Sequence, residues 1–309
     1  MRHIVDCHSH TYLCGHAEMV MPRLFHAMAD ALQYKAYAFC CHNPFVNDDV
    51  TPDYRMPFSD FQTFLNLYKQ EKQFSIEHYP QLQILLGMEV DWNPEDPKKT
   101  EQFVNMTDEF DYLLGSLHYY NVGKYLMFQT QEQFVLNYYD EWENAFRSGY
   151  FNIMSHMDFY RPLLGEEWCK QNFNNNTINQ RVFLALKNLS LYNEERTQLG
   201  LDPIAIEVNT GGSQYPGVGL TLPCQKYIVK AFEYGIPIAL GSDAHFAAEV
   251  GRNMRMVIKN IIQAGYTELC YFEKRQIIFY DINQALAAFK PVNAGEVLDK
   301  AMKIPGWQI

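Results

Sequence analysis

HIVDCHSHT, residues 3–11, is a short apolar run that ends in one aspartate and two histidines. Successive side chains of a β-strand point to opposite faces, so Asp6, His8 and His10 share one face. Two imidazoles at positions i and i+2 of one face can bind a single metal ion, and Asp6 could orient one of them from behind. A hydrogen-bonded polar strand end is the alternative for a His-x-His pair alone. The stretch predicts a first strand whose C-terminal end carries metal ligands.

Polar residues end six further apolar runs in the same way. The strand candidates cover residues 3–10, 36–42, 83–90, 112–118, 151–156, 204–209 and 236–243. The residues at their ends are His8 and His10, His42, Glu89 and Asp91, His118, His156 and Asp158, Glu207 and Asn209, and Asp243 and His245. Helical patterns cover 22–34, 59–73, 131–146, 178–195, 223–234 and 247–264, and a further strand or helix pair covers 275–280 and 281–289. Because parallel barrel strands bring their C-terminal ends to one face, the pattern predicts an α/β barrel with one polar mouth.

Composition and charge exclude several classes of protein. The 309 residues are 48% hydrophobic, which is enough for a sizeable core, and the formal net charge is −11. This charge argues against a general nucleic-acid binder, whereas metal ions could still attract a small anionic substrate. Seven cysteines without a Cys-x-x-Cys pair indicate reduced thiols, and we find neither a leader nor an apolar run of the roughly 20 residues that span a bilayer. We therefore expect a cytoplasmic protein without a membrane segment.

The residue types at the strand ends limit the metal chemistry. Imidazole and carboxylate ligands without thiolate suit zinc, manganese or iron in a catalytic site. The candidates outnumber the ligands of one tetrahedral ion, so we expect two or three ions bridged by a carboxylate. His16, on the loop after the first strand, is close enough in sequence to join the same mouth. His3, His26 and His78 fit no strand end and are interpreted as structural or surface residues.

These motifs resemble those of the PHP (polymerase and histidinol phosphatase) superfamily, most closely its histidinol-phosphatase branch. The resemblance rests on DCHSHT at 6–11, GHA at 15–17, His42, GME at 87–89, GSLH at 115–118, SHMD at 155–158, EVNT at 207–210 and GSDAH at 241–245, followed by Val-Gly at 250–251. The resemblance implies a distorted seven-stranded (β/α)7 TIM-like barrel with a metal site at the C-terminal ends of its strands. It also implies one PHP-type domain over residues 1–309, with about 290–309 as a C-terminal extension.

The resemblance further implies a site for three divalent metal ions. One ion would take His8, His10, Glu89 and Asp243, a second would share Glu89 and add His118 and His156, and the third would take His16, His42 and His245. All nine positions carry the expected residue type, so nothing indicates a degenerate member. Residues 119–130, 168–176 and those beyond about 289 follow no pattern of the family. Specificity for the leaving group is therefore the least defined property.

The reaction that the resemblance implies is hydrolysis of a phosphate monoester. L-histidinol phosphate, in histidine biosynthesis, is the expected small-molecule substrate. Asp6, Asp243 and His245 are the expected catalytic residues, and His245 is one candidate for protonating the leaving alkoxide. The planar fork of arginine suits phosphate, so Arg161 is expected to bind the phosphoryl group, with Arg196 as the second choice.

Other functions remain open at this point. The same cluster could act on another small phosphate ester or on an oligonucleotide end, although the net charge of −11 disfavours nucleic acid. A non-catalytic metal-binding or regulatory barrel would be indicated by lost ligands, and none is lost. A metal-dependent amidohydrolase usually offers a bridging lysine, whereas Glu89 occupies the bridging position here. The sequence leaves the native metal and the oligomeric state undetermined.

Overall fold

A computed structural model describes residues 2–45, 54–118 and 122–304 of the chain. Seven parallel strands follow one another in sequence order and form a nearly closed barrel surrounded by helices. The strands are β1 (Ile4–Asp6), β2 (Tyr34–Phe39), β3 (Gln83–Asp91), β4 (Tyr112–Ser116), β5 (Ile153–Met154), β6 (Ala205–Asn209) and β7 (Ile238–Gly241). The predicted α/β barrel of the TIM-like kind is confirmed.

The barrel nearly closes between its first and last strands. Just beyond the end of β1, the backbone N–H of Cys7 donates to Leu240 O at 2.8 Å. The backbone N–H of Asp243 donates to His8 O, also at 2.8 Å. We call this contact, between residues 6–10 and 240–244, the β1–β7 seam.

Several strands end earlier than their sequence patterns predict. β1 ends at Asp6 instead of residue 10, β5 ends at Met154 instead of residue 156, and β7 ends at Gly241 instead of residue 243. In each case the polar residues that were predicted to lie in the strand come after the last residue that pairs with the neighbouring strand. The histidines and carboxylates therefore lie on the segments that leave the barrel at its C-terminal end.

Helices connect the strands and cover the outside of the barrel. They are α1 (Arg23–Ala31), α2 (Phe61–His78), α3 (Pro97–Val104), α4 (Val122–Leu126), α5 (Gln131–Arg147), α6 (Tyr160–Leu164), α7 (Glu166–Asn172), α8 (Asn176–Gln198), α9 (Gln225–Glu233) and α10 (Met254–Ala264). The short helices α3, α4, α6 and α7 were not predicted, and α7 and α8 meet at residues 172–176. The Asn175 side chain caps α8 by accepting from Ile178 N at 3.2 Å. Among the residues with described structure, no helix combines the length and apolar character needed to cross a membrane.

A hairpin closes the N-terminal end of the barrel. It consists of β8 (Glu268–Glu273) and β9 (Gln276–Asp281). Residues 275–280, expected to form a strand or a helix, thus belong mostly to a strand whose partner precedes it in the chain. Arg275, in the turn, donates to Phe110 O at 3.2 Å and to Asn152 Oδ1 at 3.0 Å, just before β4 and β5 begin. Two more helices follow, α11 (Ile282–Ala288) and α12 (Ala294–Ala301), and α12 packs against α1. Residues 119–121 and 305–309 of the unassigned segments lie outside the described ranges, and the single-domain boundary stays a prediction.

Candidate metal centre

The nine predicted ligands converge at the C-terminal end of the barrel. They lie near the C-terminal end of every strand except β6, and all of them except His8 and His10 line a cavity of about 340 Å³. The nine residues are His8, His10, His16, His42, Glu89, His118, His156, Asp243 and His245. Segments far apart in sequence thus meet at one mouth, as expected for the ends of parallel barrel strands.

The first group of donor atoms lies at the β1–β7 seam. His8 Nε2 is 3.1 Å from His10 Nε2 and 3.2 Å from Glu89 Oε2. Asp243 Oδ1 lies 3.1 Å from His10 Nε2 and 3.6 Å from His8 Nε2. Ligands bound about 2.0–2.1 Å from a tetrahedral zinc ion lie about 3.3 Å from one another. The spacing of these four side chains matches that of ligands around one ion.

Glu89 connects the first group to a second. Its other oxygen, Oε1, lies 3.1 Å from His156 Nε2 and 3.5 Å from His118 Nε2. The two histidine nitrogens are 3.3 Å apart. One carboxylate therefore presents an oxygen to each group, which is the arrangement expected of a bridging ligand.

A third group lies beside the first, toward the open side of the mouth. His16 Nε2 is 2.7 Å from His245 Nε2, and the ring of His10 is stacked on that of His245 with centroids 4.2 Å apart. Donor atoms of His10, His16 and His245 lie within 4.8 Å of one another. His42 lies between the groups, with Nδ1 2.9 Å from Glu89 Oε2 and its ring centroid 5.5 Å from that of His16.

Carboxylates hold two of the rings from behind. His8 Nδ1 is 2.7 Å from Glu207 Oε1, and His118 Nδ1 is 2.7 Å from Asp91 Oδ1. Gly241 leaves the space that Glu207 occupies, because a Cβ atom at position 241 would overlap the carboxylate. A carboxylate behind a ligating histidine fixes its tautomer and raises its basicity. Sequence reasoning placed Glu207 at a strand end without a role, and the structure shows which ring it holds.

Backbone carbonyls hold two further rings. His16 Nδ1 donates to Cys14 O and His245 Nδ1 donates to Asp243 O, both at 2.9 Å. Because a carbonyl oxygen only accepts, Nδ1 carries a proton in both rings, and in the neutral form of each ring Nε2 keeps its lone pair. These lone pairs face each other at 2.7 Å. Two such lone pairs repel unless a cation lies between them, so the pair is complementary to a cation.

Buried carboxylates give the site a strong negative charge. Glu89, Asp91 and Glu207 are buried, and Arg55 pairs with Asp91. Among the described residues that line the cavity there is no lysine or arginine. Burying a carboxylate costs several kcal/mol unless a cation compensates it. The donor set therefore fits divalent cations, and nitrogen and oxygen ligands without thiolate suit zinc, manganese or iron.

The cluster shifts the pKa values of its members. Burial alone would raise the pKa of Glu89, but His42 and His8 hold it well below its usual range. Burial alone would lower the pKa of His8, but the carboxylates of Glu207 and Glu89 raise it well above its ordinary value. Burial lowers the pKa of His42 to about 4. Glu89 is therefore ionised at neutral pH.

Asp6 lies beneath the cluster. Its side chain is buried, and Oδ1 accepts from the backbone N–H groups of His8 at 3.2 Å and Ser242 at 2.8 Å. Burial raises the pKa of Asp6 to about 6. The expected role of orienting a ligating ring belongs to Glu207 instead, because Asp6 contacts the backbone of His8 and not its imidazole. Asp6 connects the two sides of the β1–β7 seam.

The structure brings neither predicted phosphate-binding arginine to the cluster. Arg161, on α6, is 6% exposed and donates to Asp158 Oδ2 at 3.3 Å in a packed region beside Trp168. Arg196 lies near the end of α8 and donates through Nε to Asp202 O at 2.8 Å, just before β6 begins. Arg196 is therefore at the N-terminal end of the barrel, opposite the mouth, because a helix that leads into a parallel strand ends at that strand's beginning.

Aromatic side chains form part of the wall of the cavity. The ring of Phe159 lies against that of His156, with centroids 4.5 Å apart, and the ring of Tyr215 meets Phe159 at 6.1 Å. Tyr54 lies edge-on to the ring of His16 at 6.4 Å. Burial raises the pKa of Tyr215 to about 12, so its hydroxyl keeps its proton at neutral pH. Sequence reasoning missed this wall, because aromatic residues are common in any core.

Comparisons with known proteins agree with this arrangement. The family model described as PHP domain matches residues 6–211. A protein of Deinococcus radiodurans named as a probable histidinol-phosphatase is 28% identical over 273 residues, covering 86% of this chain and 95% of the relative. A crystal structure of a candidate histidinol phosphatase from Listeria monocytogenes superposes with a TM-score of 0.67 at 20% identity, covering 82% of this chain and 99% of that one.

A second solved structure is similar over more of the chain. It is the histidinol phosphate phosphatase of Lactococcus lactis, complexed with zinc, L-histidinol and phosphate. Its TM-score is 0.65 at 18% identity, and the match covers 90% of this chain and all of that one. At these identities the two solved structures establish similarity of fold.

Proposed function

This chain belongs to the PHP domain family, and on that premise we propose that it is a metal-dependent phosphomonoester hydrolase. The observation that carries the proposal is the set of three facing histidine pairs at one end of the barrel, two of them in contact with Glu89. These side chains would hold divalent ions, which would supply positive charge for phosphoryl oxygens and lower the pKa of water. The nine converging side chains are the proposed ligands.

The residues behind the ligands would fix the geometry of the reacting site. Glu207 and Asp91 hold the rings of His8 and His118 with Nε2 directed into the cluster. Asn209 Nδ2 donates to Asp243 Oδ2 at 3.1 Å, which leaves Oδ1 to face the histidines. These contacts are preorganised, so the site spends no reorganisation energy when the phosphoryl group binds.

Phosphate recognition is proposed to rest on the bound ions. No described residue lining the cavity is a lysine or arginine, so an arginine clamp like the one expected of Arg161 or Arg196 has no support in the structure. Three divalent ions would outweigh the charges of Glu89, Asp243 and Glu207, since Asp91 is already paired with Arg55, and the excess positive charge would attract a phosphate dianion. This charge balance favours an anionic substrate at a mouth whose protein residues are themselves acidic.

L-histidinol phosphate is the substrate that we propose. The Deinococcus radiodurans relative and the Lactococcus lactis structure carry histidinol phosphatase names, and the latter holds histidinol and phosphate. The aromatic wall formed by Phe159 and Tyr215 is compatible with a planar imidazole on the leaving group. Asp243 and His245 would act at the mouth as ligands, whereas buried Asp6 would act through the seam.

Phosphate release tests this proposal directly. The protein would be loaded in turn with zinc, manganese and iron and offered L-histidinol phosphate beside a panel of phosphomonoesters and short oligonucleotides. We expect strong preference for L-histidinol phosphate, lost in Asp243→Asn. Preference for a different small ester would keep the hydrolase and refute the proposed substrate. No release from any compound by the metal-loaded protein would refute the hydrolase itself.

A further inference from the structure

One ligating ring, that of His10, is held by sulfur instead of oxygen. His10 Nδ1 lies 3.3 Å from Cys14 Sγ, on the side of the ring away from the cluster. The corresponding atoms of His8, His118, His16 and His245 each face an oxygen acceptor at 2.7–2.9 Å. A thiol sulfur is a weaker acceptor than a carboxylate or a carbonyl oxygen. His10 therefore has the least firmly held ring among these five.

A second buried cysteine lies next to Cys14. Cys41 Sγ accepts from the backbone N–H of Thr11 at 3.2 Å and lies 3.2 Å from Thr11 Oγ1. Because Thr11 Oγ1 already accepts from the backbone N–H of Leu13, at 3.4 Å, its own proton is free to point at Cys41. Donor atoms of His10, Cys14 and Cys41 lie within 4.8 Å of one another, and all three side chains are buried. Thr11, Cys41, Cys14 and His10 thus form one chain of polar contacts.

The two cysteines also support other ligands through their backbones. Cys14 O accepts from His16 Nδ1 at 2.9 Å, so Cys14 contacts two ligating rings at once. Cys41 O accepts from the backbone N–H of Glu89 at 2.9 Å, and His42 is the next residue in the chain. The sulfur pair therefore joins the loop after β1 to the segment after β2, directly behind the side of the cluster that contains His10 and His16.

We propose that Cys14, supported by Cys41, is a positioning residue for His10, and through that ring for the cation that His10 would share with His8, Glu89 and Asp243. The inference rests on the proposed metal site. A weaker acceptor leaves the ring less basic and less fixed, and loss of such an outer contact typically costs 10–100-fold in metal affinity. Cys14 acts through His10 and contacts no substrate.

The test is a stepwise cobalt titration of the full chain after dialysis against a chelator, with bound metal counted per protein. Cys14→Ala removes the acceptor, and we expect roughly tenfold to a hundredfold weaker binding in one step of the titration alone. Cys14→Ser keeps an acceptor and should fall between Cys14→Ala and the unaltered chain. Cys14→Asp places a carboxylate behind His10, as Glu207 does behind His8, and should tighten the same step. Cys270→Ala is the matched control, because Cys270 is equally buried but lies on the hairpin.

The outcomes separate this inference from the proposed function. If the unaltered chain binds no cobalt, both are refuted. If it binds cobalt but all Cys14 variants titrate as the unaltered chain does, only the role of Cys14 is refuted. A sulfur-to-cobalt charge-transfer band that disappears in Cys14→Ala would also refute it, because Cys14 would then be a direct ligand. Equal weakening of every step, together with a lower melting temperature, would indicate a packing role and overturn the inference.

Discussion

The two ends of the barrel differ in how their polar groups are paired. At the N-terminal end, Arg275 donates to the carbonyls of Phe110 and Thr107, and Asp111 accepts from the backbone N–H groups of Leu86 and Lys274. Hydrogen-bond donors at this end face acceptors, and the turn of the hairpin supplies several of the donors. At the C-terminal end, lone pairs face lone pairs and buried carboxylates outnumber basic side chains. The first end is satisfied by the protein alone, whereas the second is complementary to cations.

This difference shows where polar residues stabilise the fold and where they serve chemistry. A hydrogen bond from a charged donor contributes about 1.5–3 kcal/mol when both partners are present. The closely spaced histidines and carboxylates at the C-terminal end contribute no such stability. They stay in place because the rest of the barrel fixes their positions. Substitutions at the two ends should therefore separate activity from stability.

The largest expected effect is at Glu89, which contacts two groups of ligands. Glu89→Gln should lower kcat/KM by about a thousandfold or more, because the bridging charge is lost and several kcal/mol of transition-state stabilisation go with it. The measurement is phosphate release at saturating metal. Glu109→Gln, at an exposed position, is the control. Activity within tenfold of the unaltered chain would contradict the bridging role.

The N-terminal end should show the reverse behaviour at Arg275. Arg275→Ala removes hydrogen bonds to Phe110, Thr107 and Asn152, and we expect the free energy of unfolding to fall by about 3 kcal/mol. Urea unfolding of the metal-free chain measures this change. Lys274→Ala, exposed in the same turn, should be nearly neutral. A large loss of metal affinity in Arg275→Ala would show that the two ends are not independent.

Glu207 tests whether the mouth depends on the contacts behind its ligands. Glu207→Gln keeps the shape beside Gly241 but removes the charge that holds His8. We expect metal affinity to fall roughly tenfold to a hundredfold with little change in the free energy of unfolding. Competition with a chromogenic chelator gives the affinity. The idea fails if metal binding is unchanged, and Glu268→Gln on the hairpin serves as the matched substitution.

The smallest effect concerns a histidine outside the mouth. His26 on α1 is buried, and burial lowers its pKa from 6.5 to about 3. Between these values the unfolded chain binds a proton that the folded chain does not, so stability is lost as the pH falls from 6.5 toward 3. At pH 5.5 the loss from His26 is about 1.4 kcal/mol.

Urea unfolding of metal-free His26→Leu at pH 7.5 and 5.5 measures this contribution. The variant should lose less stability over this interval than the unaltered chain, by about 1.4 kcal/mol. His78→Gln, on α2, should retain the full slope. An unchanged slope in His26→Leu would mean that the histidines of the mouth account for all of the acid sensitivity.

Sequence reasoning predicted the barrel and the convergence of the ligands for one physical reason. Polar residues at the ends of parallel strands must share a mouth, so His42, His118 and His156 could be brought together without knowing any loop. The bounds of the strands were less accurate, because the same polar residues end the regular ladder. The hairpin partner β8 was missed, since nothing in its local pattern distinguishes a closing hairpin from a further helix.

The contacts behind the ligands could not be read from the sequence. Glu207 reaches His8 only because Gly241, on the neighbouring strand, leaves it room, and that relation depends on register between strands. Asp6 has the right spacing to hold His8 but its carboxylate turns to the backbone across the seam. Arg196 was predicted to bind phosphate because an arginine side chain suits phosphate. Its position near the end of α8 instead places it at the N-terminal end of the barrel.

The β1–β7 seam has a consequence for how the protein would respond to its surroundings. His8 and His10 lie on one side of the seam and Asp243 on the other, so an ion bound by all three would also fasten the first strand to the last. An unfolded chain cannot gather these groups, and free ion at a thousand times its dissociation constant would therefore add about 4 kcal/mol to stability by mass action. Barrel closure would thus depend on metal supply. Scarcity of the ion would lower the free energy of unfolding as well as the rate of the reaction.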